Sequence, residues 1–67
     1  MRELLERLVD EMVSKGIRLD DAQREFEKRF ITQALSTTAG SLSKAADLLG
    51  MHRNTLSRKI AEYRIRR

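Results

Sequence analysis

Ala46, Gly50 and Leu56 stand four and six residues apart within the run from Ser43 to Ile60, and that spacing admits few backbone arrangements. Two helices crossing at a steep angle need a side chain no larger than a methyl where their backbones come closest, and Ala46 meets that need. Gly50 then lets the chain leave the first helix through a left-handed conformation without a Cβ clash. Beyond the turn, Leu56, Ile60 and Tyr63 recur at i, i+4 and i+7 and fall on one side of a second helix. Ala45, Leu48, Leu49 and Met51 supply further apolar contacts. The pattern predicts a helix-turn-helix.

The opposite side of the second helix carries the functional argument. With Leu56 at zero and about 100° per residue, Asn54, Ser57, Arg58 and Ala61 lie away from the buried stripe, and Arg53 sits at the helix start. Such groups suit the major groove of duplex DNA, where Arg forks onto guanine and Asn pairs with adenine. A solvated helix face uses the same residue types, so Arg58 alone carries no argument. The whole frame with its basic face points to double-stranded DNA as the partner.

Charge divides the chain in the same place. Residues 1–39 hold seven Lys or Arg against eight Asp or Glu, and residues 40–67 hold seven against two, so the formal +4 joins a half at −1 to a half at +5. A cation-rich end on a balanced, amphipathic end suggests a polyanion-binding tip on an assembly module.

Gly40 to Arg67, GSLSKAADLLGMHRNTLSRKIAEYRIRR, closely resembles the DNA-binding end of the Fis type (factor for inversion stimulation), shared with the C-terminal domains of NtrC-like enhancer-binding activators. The likeness rests on Gly40, Lys44, Ala45, Ala46, Leu49, Gly50, Met51, Arg53, Thr55, Leu56, Arg58, Lys59, Ile60 and Tyr63. It continues back through FEKRFITQAL, which looks like the family's long helix before the motif, and so covers the chain from about Leu19. The resemblance implies an intertwined homodimer built from the first two helices, together with DNA bending and transcriptional or nucleoid roles in a bacterial cytoplasm.

Those first two helices are also legible from the residues. Leu4, Leu5, Leu8, Val9, Met12 and Val13 repeat at i, i+4 on two adjacent rows, which predicts a helix from Arg2 to Lys15, ended by Gly16. Six large apolar side chains need a cover, since burying each is worth about 1.5 to 3 kcal/mol. The helix can fold back on its own chain or pack against a second copy. The second is expected, because 67 residues without cysteine make a marginal core and two half-sites call for two-fold symmetry. Asp20 is placed to cap the next helix, which runs to about Thr37 with Leu19, Ala22, Phe26, Phe30, Ala34 and Leu35 on its apolar face and Ile31 broadening it. Phe26 and Phe30 read as core and interface packing. Glu25, Arg29 and Glu27 read as a charged outer face, and Gly40 closes the helix. Ser41 or Ser43 caps the first helix of the motif and is placed to hold a phosphate.

Several positions depart from the family pattern. Ser41 stands where Asn is usual, and His52 stands where Asn or Ser usually begins the recognition helix. Histidine is expected to cap poorly there, or else to touch a phosphate or base edge. Ser57 replaces a residue often basic or bulky. Arg64 follows Tyr63 in place of glycine, so the helix is expected to run on or to end differently. Arg64, Arg66 and Arg67 form a basic tail that reads either as a solvated terminus or as phosphate contacts.

The expectation is therefore an all-α single Fis-like domain over residues 1–67, with dimerisation helices in 1–39 and a helix-turn-helix in 40–67. Arg53 contacts base edges. Asn54, Thr55, Ser57 and Arg58 contact bases or adjacent phosphates, while Ser41, Ser43, Lys44, Lys59 and the tail arginines grip the backbone. The dimer interface is expected from Leu4, Leu5, Leu8, Val9, Met12, Val13, Phe26 and Phe30. No catalytic constellation, metal-ligand cluster, cofactor motif, signal peptide or membrane-length apolar run is visible, so an enzyme or a small-molecule substrate is a poor hypothesis. A helical protein-interaction module, an RNA-binding protein and the DNA-binding tail of a longer NtrC-like activator stay open as alternatives.

Overall fold

The computed structural model describes residues 1–66, and every regular element among them is an α-helix. In chain order these are α1 (Arg2–Ser14), α2 (Leu19–Thr37), α3 (Leu42–Leu49) and α4 (Arg53–Tyr63). The expected all-α, four-helix architecture is present. The tail residue Arg67 lies outside the described residues.

All four helices end in the same backbone motif. After α3, the Met51 N–H donates to the Ala46 carbonyl and the Gly50 N–H to the Asp47 carbonyl, with Gly50 at φ 67°. These paired bonds satisfy carbonyls that the last turn leaves open, and they need one residue in the left-handed region. Gly16 plays that part after α1. After α2 and α4 the left-handed residues are Ala39 (φ 54°) and Arg64 (φ 55°), which have a Cβ and adopt it at a cost of about 1 to 2 kcal/mol. The expected closure of α2 at Gly40 is shared with Ala39, which takes the left-handed position first. Gly40 is one residue later, its N–H bonding the Leu35 carbonyl at 2.8 Å. Likewise α4 stops at Tyr63 despite the missing glycine.

The start of α2 also differs from expectation. Arg18 is the last extended residue (φ −74°, ψ 150°), and its carbonyl accepts from the Ala22 N–H at 2.9 Å, so Asp20 lies inside the first turn and is not the cap. Its carboxylate instead accepts from the Asp21 N–H at 3.0 Å and pairs with Arg18 at 3.6 Å. Asp20 and Asp21 still complement the positive end of the helix.

The core sits entirely around the second half of α2. Ile31, Ala34 and Leu35 from α2 meet Ala45 and Ala46 from α3 and Leu56 from α4, and Leu42, Leu49, Met51, Ile60, Tyr63 and Ile65 surround them. Methyl-sized residues where α3 faces its neighbours let three helices converge, as the Ala46 spacing requires. Ile31 belongs to this core and does more than widen an apolar face.

Nothing in α1 is buried. Leu5, Leu8, Val9 and Met12 instead face Leu19, Ala22, Phe26 and Phe30 of α2 across an open apolar groove of about 590 Å³. Phe26 and Phe30 meet at 5.4 Å between ring centroids with their planes tilted by 47°, yet each keeps more than half of its surface exposed. The shape agrees. A compact chain of this length would have a radius of gyration of about 11 Å, whereas the observed 13.4 Å describes a body 37 × 24 × 18 Å across.

Candidate nucleic-acid interface

Leu56 is completely buried and is the only buried residue of α4. That single anchor, with Ile60 and Tyr63 half-buried on the same stripe, fixes which way the helix faces. Asn54, Ser57 and Arg58 are consequently exposed, Arg53 is exposed because it opens the helix, and Thr55 is half-buried at the edge. The amide of Asn54 and the cation of Arg58, which sequence spacing assigned to the outward side, are on it.

His52 begins α4 as an effective cap. Its Nδ1 accepts a hydrogen bond from the Asn54 N–H at 3.1 Å, the job that Asn or Ser does with an oxygen. The expectation of a poor cap is corrected, because an imidazole nitrogen with extended backbone (φ −70°, ψ 140°) reaches the same orphan amide. Holding that bond leaves Nδ1 without a proton, so the neutral ring carries its proton on Nε2. At the start of α3 the choice between two serines is resolved. Ser41 Oγ accepts from the Lys44 N–H at 3.2 Å, whereas Ser43 is an exposed residue inside the helix.

The structure treats the expected phosphate contacts unequally. Lys44, Arg64 and Arg66 are exposed, as is Ser43, while Ser41 is half-buried. Lys59 is not a free cation. Its Nζ lies 2.5 Å from Glu27 Oε1 on α2 and 5.9 Å from the Tyr63 ring centroid. The hydrogen bond from Lys59 holds the Glu27 carboxyl below its usual range, and Glu27 in turn raises the Lys59 ammonium. Burial is the main cause that raises the Tyr63 hydroxyl. A phosphate seeking Lys59 would have to displace Glu27.

Sequence reasoning missed two residues here. From its spacing Glu27 reads as part of a charged outer face with Glu25 and Arg29; those two stay exposed and meet at 3.5 Å beside the apolar groove, whereas Glu27 turns to Lys59. Ile65 was passed over inside the basic tail, yet it packs on the core. The one available signal was its apolar character between two arginines.

Two short helices crossing through alanines, a left-handed glycine turn, and a second helix pinned by one leucine with cations outward define a helix-turn-helix DNA-binding domain. The chain belongs to the Fis family of bacterial regulatory proteins, whose family model matches residues 22–63. Among curated relatives it is similar to the DNA-binding transcriptional regulator NtrC of Azospirillum brasilense, 47% identical over 79% of this chain and 11% of that protein. The NtrC of Rhizobium meliloti (strain 1021) is 42% identical over 92% of this chain and 13% of its own length. That of Escherichia coli (strain K12) is 50% identical over 66% of this chain and 9% of its own. The chain thus spans about a tenth of the length of the curated relatives it matches. No solved structure gives a significant match.

Among the described residues no helix is long and apolar enough to cross a membrane, and no group of His, Cys, Asp or Glu is placed to hold a metal ion.

Proposed function

We propose that this chain is a homodimeric duplex-DNA-binding module of a transcriptional regulator, in which α4 is the recognition helix and α1 with the first half of α2 forms the dimer interface. The observation that carries the DNA reading is the polarity of α4: Leu56 is fully buried while Arg53, Asn54, Ser57 and Arg58 are exposed. Arg53 and Asn54 stand in the first turn, where a groove-reading helix makes its base contacts. Ser41, Ser43, Lys44, Arg64 and Arg66 are assigned to the sugar-phosphate backbone, which positions the module without reading sequence. Arg67 joins them by its place in the sequence. Thr55, at the edge of the exposed face, and His52, through its outer nitrogen, are secondary contacts. Lys59 is the weakest member of the expected set, since its charge is already matched.

The dimer reading is supported by the uncovered apolar groove. Six of the eight expected interface residues, Leu5, Leu8, Val9, Met12, Phe26 and Phe30, line it, while Leu4 and Val13 are exposed outside it. Contiguous apolar surface of this kind marks an interaction site. A second copy would bring the same residues to cover it under two-fold symmetry. Titrating a labelled duplex pool of random sequence at several salt concentrations tests the whole reading. The expected result is log K falling by about 0.9 per neutralised phosphate on the salt axis, together with dimer mass in sedimentation. A salt-independent association, or preference for structured RNA over duplex, would contradict it.

The likeness to NtrC over 92% of this chain favours a second, narrower version. In it the module serves as the DNA-binding unit of a longer NtrC-type regulator, and a free-standing nucleoid factor is the alternative.

A further inference from the structure

We infer that Glu27 is a positioning residue for DNA recognition, acting from the dimerisation helix through Lys59 to fix the direction in which α4 points. The inference rests on the reading of α4 as the recognition helix. Among the described residues, ion pairs join Arg2 to Glu6, Lys15 to Glu11, Arg18 to Asp20 and Arg29 to Glu25, each local to one helix and its capping residues. Glu27 and Lys59, 32 residues apart in sequence, form the ion pair that crosses between helices.

Its place on α4 determines what it does. Advancing about 100° per residue puts Lys59 roughly 60° from the buried Leu56, on the flank turned toward α2 and away from Asn54, Ser57 and Arg58. With its ammonium held by Glu27 of α2, a lysine there contributes little to a groove and much to the tilt of the rod. Leu56 is the one fully buried pin of α4, and a single full anchor holds rotation about itself only weakly. Burial of Ile60 and Tyr63 is partial. The Glu27 carboxylate supplies a second, directional point of attachment, and the Tyr63 ring lies beneath the same ammonium. Because Glu27 sits one residue from Phe26 in the groove wall, a shift of α2 at the proposed interface would carry the attachment with it. Dimer geometry and the aim of each recognition helix are thereby linked through one carboxylate.

Charge makes the test discriminating. Glu27→Ala raises the net charge by one, which by itself strengthens association with a polyanion, so a loss of binding cannot be a bulk charge effect. The experiment compares the wild-type chain, Glu27→Ala, and the net-neutral exchange Glu27→Lys with Lys59→Glu, all on a duplex DNA pool of random sequence before and after enrichment for bound sequences. Measurements are made well below every melting temperature. If the wild type fails to bind duplex DNA, the recognition-helix reading falls and takes this inference with it. If the wild type binds, Glu27→Ala is expected to lose about two- to tenfold in affinity for the enriched pool, with unchanged dimer mass and unchanged salt slope, and the exchange is expected to restore most of it. Wild-type affinity in Glu27→Ala overturns the inference. So does tighter binding with a steeper salt slope, which would mean that Glu27 merely keeps Lys59 from a phosphate. An exchanged pair that restores neither folding nor binding overturns it as well.

Discussion

The backbone N–H of Ile65 donates to the carbonyl of Ile60 at 3.0 Å, closing α4 over Arg64, which holds φ at 55° although its side chain disfavours it. The apolar partner that makes this worthwhile is Ile65 itself, which packs against the core together with Ile60. A hydrophobic contact across such a turn is the usual companion of the paired bonds.

Arg64→Gly should therefore stabilise the fold. Relief of left-handed strain of about 1 to 2 kcal/mol is offset by the greater chain entropy of glycine, about 0.5 to 1 kcal/mol. A rise of a few degrees in thermal midpoint follows. Ala39→Gly makes the same change after α2 without altering charge, and should match it. Thermal melts of both variants check this, and lower midpoints in both would remove the strain argument. If Arg64 also contacts a phosphate, only its variant should reduce the salt slope of DNA binding, by about 0.9.

His52 caps α4 through Nδ1, so its removal is a stability experiment before it is a recognition experiment. His52→Ala should cost about 0.5 to 2 kcal/mol, the range for losing a good cap, while His52→Asn should cost nothing or gain slightly. Circular dichroism melts of the pair separate capping from packing. Equal stability in both variants would mean that the imidazole bond contributes little. DNA affinity that falls in His52→Asn, with the fold intact, would reveal a direct contact by the ring.

Recognition and assembly should separate by mutation. Arg53→Ala is expected to weaken specific duplex binding by about 1 to 3 kcal/mol with the dimer unchanged. Leu8→Asp places a carboxylate in the apolar groove, where Leu8 is about half exposed in the single chain at 49%. On an isolated protomer that change would be mild. Against a covering second copy it buries an unpaired charge and should dissociate or unfold the assembly. Sedimentation equilibrium at several concentrations decides the matter, and a Leu8→Asp chain with the wild-type association constant would refute the interface.

The Glu27–Lys59 pair predicts a dependence of stability on pH with a definite sign. Glu27 titrates lower in the folded chain than in the unfolded one, so its contribution is complete above the unfolded value and is lost as pH falls through the lowered folded one. Lys59 titrates higher when folded, so its contribution is complete below the unfolded value and is lost as pH rises through the raised one. Both side chains are about a third exposed, at 37% and 31%, which limits the pair to about 0.2 to 1 kcal/mol after screening. The difference in melting temperature between wild type and Glu27→Gln should be present at neutral pH and vanish in strong acid. A difference that does not change with pH would show that the substitution acts through packing alone.

Much of the architecture is legible in the sequence. Helix periodicity, the alanine at the crossing and the left-handed glycine are local consequences of backbone geometry, and they located all four helices and the exposed side of α4. What escaped were the exchanges between equivalent local solutions. Arg18 replaced Asp20 as the last extended residue, Ala39 preceded Gly40 in the left-handed turn, and an imidazole stood in for an amide as a cap. Each alternative differs by a kilocalorie or so, which the surrounding packing readily outweighs.

By itself, the order of residues determined that α4 has an apolar stripe at Leu56, Ile60 and Tyr63 and a polar side at Asn54, Ser57 and Arg58, because about 100° per residue is a property of any α-helix. Only the tertiary structure decided that Lys59 pairs with Glu27, that Ile65 anchors the tail, and that the apolar face of α1 is left uncovered by its own chain. Those outcomes depend on how α4 crosses α2 and how far α1 stands from the core, and no periodicity within one helix records the angle it makes with another.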